Sequence, residues 1–171
     1  GQLGAAVVAH FQGLGAQLLL LDRDAAALQR HYGSLPNAQL IEVDLLDRDA
    51  LVYSVGSSLR AGEPTGPGYY VFTPARLLNG GIVMVNRGFV PEALRDPATR
   101  AEGQIKGTVA VLGVLRWPDP PSMFTPAAEP SKNLWFARDP APIAAAKGVP
   151  AAPFYVEQES PFPAKGWPLP A

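Results

Sequence analysis

The chain has 171 residues, 47% of them hydrophobic and 17% charged, which is enough apolar material for a buried core and too little charge for a disordered segment. A net charge of −1 gives no electrostatic reason to expect nucleic acid or an anionic surface as partner. The absence of cysteine excludes a disulfide, a thiolate metal site and a thiol nucleophile.

The longest apolar runs, such as 18–21 and 109–115, are far below the ~20 residues that span a bilayer. No basic and apolar leader opens the chain, and its start at Gly1 reads as a piece of a longer reading frame. Proline use divides it: Pro36 is the one proline of residues 1–50, and the other 18 lie beyond. Charge divides at the same place, −3 before and +2 after, so the sequence reads as two domains, 1–50 and 51–171.

Residues 1–50 read as helix, strand, helix, strand. Leu3, Ala6, Val7, His10 and Phe11 recur at helical spacing, and Gly13 and Gly15 end that helix. Residues 17–21 form an apolar run closed by Asp22, the pattern of a parallel strand buried on both faces. Asp24 caps a second helix that ends near Tyr32, before Gly33 and Pro36, and residues 40–43 make a second buried strand. The spacing of Gly1, Gly4, Asp22 and Asp44 resembles the short-chain dehydrogenase/reductase family. That resemblance implies a partial Rossmann-like αβαβ fragment, with the glycines near a pyrophosphate, Asp22 on the ribose and Asp44 near the adenine. The family's hydride chemistry also needs a Tyr-x-x-x-Lys pair, and none occurs: Tyr32, Tyr53, Tyr69, Tyr70 and Tyr155 are followed four residues on by Pro36, Ser57, Thr73, Pro74 and Glu159. This weighs against NAD(P) as a cofactor and against a working reductase.

Residues 51–171 read mainly as strands at 53–59, 69–72, 82–85 and 107–115. Asn79-Gly80-Gly81 suits a hairpin turn, because Asn and Gly accept positive φ. Asn86-Arg87-Gly88 follows a buried strand and suits a hairpin or bulge, with Gly88 relieving the backbone. Residues 140–147 predict one short helix stopped by Gly148, and 161–171 an extended tail. The expected fold is an α+β composite, a mainly antiparallel barrel-like β domain preceded by the αβαβ fragment.

The order and spacing of Val83-Met84-Val85-Asn86-Arg87-Gly88-Phe89-Val90-Pro91, Arg95-Asp96-Pro97, Arg116-Trp117-Pro118, Phe124-Thr125-Pro126, Asn133-Leu134-Trp135-Phe136-Ala137-Arg138-Asp139 and Ala152-Pro153-Phe154-Tyr155-Val156 resemble the surfeit locus protein 1 family. The resemblance implies a non-enzymatic assembly factor for haem-copper cytochrome c oxidase, acting in maturation of the haem a-containing subunit. Its implied partners are oxidase subunit I or the haem-delivery machinery. It also implies membrane helices flanking this region, which would face the periplasm of a bacterial inner membrane, and haem a as a possible ligand of the intact parent. No catalytic residue and no metal site is expected.

Arg87 is a fixed charged fork suited to a haem propionate or partner carboxylate, or to an acid within the domain. Asn86, Gly88, Trp135 and Arg138 are grouped with it as candidate contacts. Trp117, Phe124, Trp135, Phe136 and Phe154 offer either an apolar contact surface or core. His10 and His31 are the only histidines, so residues 51–171 bring no imidazole to haem iron, and no cofactor is expected for this chain alone. Two alternatives remain open from the sequence: a truncated NAD(P)-dependent short-chain oxidoreductase, and a fused chimera without integrated function.

Overall fold

The computed structural model describes strand residues 18–20 and 38–40, together with 42–46, 48–55, 66–77, 80–104, 108–119, 121–160, 163 and 166–169. Among the described residues ten strands form one mixed sheet: β1 (Leu18–Leu20), β2 (Ala38–Leu40), β3 (Glu42–Leu45), β4 (Ala50–Ser54), β5 (Gly68–Leu77), β6 (Ile82–Pro91), β7 (Thr108–Ala110), β8 (Leu112–Arg116), β9 (Leu134–Trp135) and β10 (Ala151–Ser160). One α-helix, α1 (Pro140–Lys147), and 3₁₀ turns at Glu92–Leu94, Pro97–Gly103 and Pro130–Lys132 complete the described elements.

The main path runs β2-β1-β8-β10-β6-β5-β3-β7, with β4 and β9 branching from β5. Strands β7 and β8 lie far apart on that path yet are separated in the chain by Val111 alone, 1% exposed. One extended segment therefore lends its first half to β3 and its second to β1 and β10, which curls the sheet into a half-barrel.

Long hairpin β5–β6 forms the centre, and its turn matches the sequence reading: Gly80 has φ 84°, and the Leu77 amide donates to the Gly81 carbonyl at 2.8 Å. Further along, Tyr70 pairs with Phe89 but Phe72 with Asn86, so β6 carries one extra residue at Arg87-Gly88. This is a β-bulge, in which Gly88 adopts φ 108° and its amide donates to Asn86 Oδ1 at 3.1 Å.

Period-two alternation sends side chains of β6 and β10 to opposite faces. Val83, Val85 and Val156 join Val43, Leu45, Ala75, Val109 and Val111 in one cluster; Met84 and Tyr155 join Ala50, Val52, Phe72, Trp135 and Ile143 in another. Both faces of β6 are covered, which explains its near-continuous apolar run. Helix α1 follows the sequence reading. Asp139 Oδ1 accepts from the Ala141 amide at 3.0 Å, Pro140 occupies the first turn, Gly148 ends it at φ 66°, and fully buried Ile143 docks it on the second cluster. In the closing segment Leu169 pairs with Phe89 through two backbone hydrogen bonds.

The structure corrects the expected fold class. The described residues are mostly β, and no alternating αβαβ fragment is seen. Strand β1 is parallel to β2, as a Rossmann unit requires, but its other edge is antiparallel to β8, and β3 pairs antiparallel with β5 and β7. The physical reason is that a short apolar run satisfies any strand covered on both faces, so it does not report which fold supplies the cover. The helices expected within 3–11 and 24–32 lie outside the described residues. Ala50 opens β4 and is fully buried against Phe72.

Candidate functional site

Asp49 sits just before β4, with its side chain 10% exposed. Its carboxylate accepts from Thr73 Oγ1 on β5 at 2.5 Å and from Arg100 Nη2 at 3.2 Å, and lies 3.9 Å from Arg87 Nη1. Its backbone carbonyl accepts from Asn133 Nδ2 at 3.0 Å and from Lys147 Nζ at 2.9 Å. Lys147 also donates to Asn133 Oδ1 at 2.5 Å and stands 5.5 Å from the centre of the Trp135 ring.

Each partner arrives through a local device. The bulge in β6 re-aims Arg87, whose Nη2 donates to the Gly103 carbonyl. A break in the 3₁₀ segment places Arg100, at φ −133°, with its side chain wholly buried. Asn133 takes a left-handed conformation at φ 55°, which asparagine tolerates. Lys147 closes α1, where a cation complements the helix dipole.

One carboxylate thus faces two buried guanidiniums. Burial lowers the Arg87 pKa, Asp49 opposes that shift, and the neighbouring Arg100 charge adds to it. Lys147 is also lowered, first by burial; Asp49 raises it and Arg48 lowers it. Arg100 Nε and Nη1 and Arg87 Nε have no hydrogen-bond partner among the described residues. Beside this cluster opens a cleft of about 740 Å³.

A second polar group forms around Glu157 on β10. Arg116 Nη2 donates to Glu157 Oε1 at 2.9 Å, while Arg138 Nη1 lies 3.7 Å from Glu157 Oε2 and its Nε donates to Asp119 at 2.8 Å. Burial opposes the Arg138 charge, but Tyr155, Asp119 and Glu157 outweigh it, so its pKa is raised. Burial also pushes the Tyr155 hydroxyl up to about 12, against the pull of Arg138.

The sequence-derived candidates fall as follows. Asn86, Arg87 and Gly88 lie together in the buried bulge, with Asn86 at 0% and Arg87 at 3% exposure. Trp135 is also buried, beneath Lys147, whereas Arg138 is about one-third exposed, over the Tyr70 ring and in the Glu157 group. Asp44 is half-buried on β3, opposite Arg76. Gly1, Gly4 and Asp22 lie outside the described residues, as do His10 and His31. Sequence reading missed Asp49, Arg100 and Lys147; their only local trace is a charge flanking an apolar strand or closing a helix. Trp117 and Phe124 are exposed, and Phe136 and Phe154 are half-buried.

A curled mixed sheet with an arginine–carboxylate cluster bedded in its central hairpin defines a β-rich domain that offers charge and surface. The profile of the SURF1 family matches residues 16–170, which takes in all ten strands, and the chain belongs to this family. Human surfeit locus protein 1 is 35% identical over 106 residues, covering 61% of this chain and 35% of the human protein. A SURF1-like protein of Monosiga brevicollis is 44% identical over 70 residues, covering 40% of this chain and 27% of its own. Surfeit locus protein 1 of Takifugu rubripes is 27% identical over 155 residues, 90% of this chain and 62% of its own. The matched stretch is thus about a third or less of the first two relatives. No helix among the described residues is long and apolar enough to cross a membrane.

Proposed function

We propose that this chain is the folded domain of a non-enzymatic assembly factor for cytochrome c oxidase, acting in maturation of its haem a-containing subunit. The observation that carries the reading is the SURF1 match from 16 to 170, a family of oxidase assembly factors. In this reading the parent stands at the bacterial inner membrane, the domain faces the periplasm, and the partner is oxidase subunit I or the machinery that delivers its haem. Exposed Trp117, Met123 and Phe124, between β8 and β9, support a role in contact rather than turnover. Haem a is cargo here. Both histidines lie outside the described residues, and those residues hold no cluster of three His, Cys, Asp or Glu suited to a metal.

The test is complementation in a bacterium lacking its own factor of this family. Residues 16–170 replace the equivalent region of that factor, and the haem a absorbance of the oxidase is read in membranes. Restored absorbance is expected. A hybrid that is present and folded but restores nothing overturns the reading.

A further inference from the structure

The cleft beside Asp49 is bordered by Arg48, Arg95, Arg100 and Lys147, against the two acids Asp49 and Asp96, and Arg87 Nη1 lies 3.9 Å from the Asp49 carboxylate. The cations are held mostly by neutral oxygens. Arg48 Nη1 donates to the Lys147 carbonyl at 2.9 Å, Arg95 Nη2 to the Lys132 carbonyl at 2.5 Å, and Lys147 to the carbonyl oxygens of Asp49 and Asn133. Asp49 is already engaged by Thr73, Arg87 and Arg100, and Asp96 accepts from the Ala98 amide at 2.9 Å in capping its own turn.

Positive charge is therefore in excess, and it converges on one concavity. The second observation is independent: Arg100 borders the cleft with its side chain wholly buried, and its Nε and Nη1 find no acceptor among the described residues. A buried guanidinium with unfilled donors is costly, and negative charge seated beside it in the cleft offsets the charge excess.

We propose that this cleft binds the phosphate group of a larger molecule. The four cations of the lining less its two acids leave an excess of two positive charges, more than one carboxylate would neutralise, and fork-shaped donors match phosphate oxygens. A volume of about 740 Å³ is far larger than a bare ion and lies within the range of small-molecule sites. Apolar Leu51, Ala93 and Pro97 line the rest and accommodate the body that bears the phosphate. The site does not depend on the oxidase reading. A soluble phosphate ester and a phospholipid headgroup present the same chemistry, and the experiment separates them.

The full chain is titrated calorimetrically with inorganic pyrophosphate at low salt, and floated with vesicles of phosphatidylcholine alone or mixed with phosphatidylglycerol. Saturable one-to-one pyrophosphate binding is expected, weakened about tenfold by Arg48→Gln or Arg95→Gln. Arg76→Gln removes the same charge from an exposed position on β5 outside the cleft, and should leave binding unchanged. Both cleft substitutions spare buried Arg100 and Asp49, and circular dichroism checks the fold. Flotation only with phosphatidylglycerol, competed by pyrophosphate and lost in the cleft variants, identifies a headgroup; pyrophosphate binding without flotation identifies a soluble ester. No binding of either probe, or equal weakening by Arg76→Gln, overturns the proposal.

Discussion

Asp49 and Glu157 each face two arginines, but in different surroundings. Around Asp49 the arginine side chains are 4% and 0% exposed; around Glu157 they are 36% and 51% exposed. Removing Asp49 strands two charges away from water, whereas removing Glu157 leaves two arginines that water can still solvate. The same ion-pair chemistry is thus indispensable in one place and modest in the other, and burial of the cations decides which.

The largest effect that sharpens this contrast is predicted for Asp49→Ala, about 3–5 kcal/mol of unfolding free energy by urea titration. A loss under about 1 kcal/mol would erase the distinction. Next, Gly88→Val forces a β-branched residue to φ 108° in the bulge that places Arg87, with an expected cost of about 1–3 kcal/mol. Glu157→Gln keeps the shape and a hydrogen-bonding oxygen, and should cost about 1 kcal/mol or less, shrinking further in salt.

A further effect is one of pH dependence near the Glu157 group. Tyr155 ionises in the fold only at about 12, above its ordinary value of 10, so the unfolded chain releases the proton first. Its contribution to stability is present below pH 10 and is lost as pH rises toward 12. Tyr155→Phe should flatten that part of the stability–pH curve, and an unchanged slope would place the alkaline loss elsewhere.

What the sequence revealed was local. The Gly80 turn, the Gly88 bulge and the capped helix α1 are each specified by residues within a few positions of one another, and the structure has all three. The Asp49 cluster was illegible because its partners stand far off in the chain: Thr73 by 24 residues, Arg100 by 51, Asn133 by 84 and Lys147 by 98. No spacing rule reaches that far. The Rossmann reading failed at the same boundary, since Leu18–Leu20 beside Ala38–Leu40 is a parallel pair in either fold and only the antiparallel neighbour β8 tells them apart. The family motifs succeeded because they sample many such distant positions together.

The continuity of the chain through Val111 has a consequence for how the molecule opens. Strand pairing runs from β8 through β10, β6, β5 and β3 to β7, and the chain at Val111 completes the circuit. Around that loop no strand can peel away without disturbing two neighbours, so amides from Ile82 to Val85 and from Leu112 to Arg116 should exchange with deuterium as one cooperative unit.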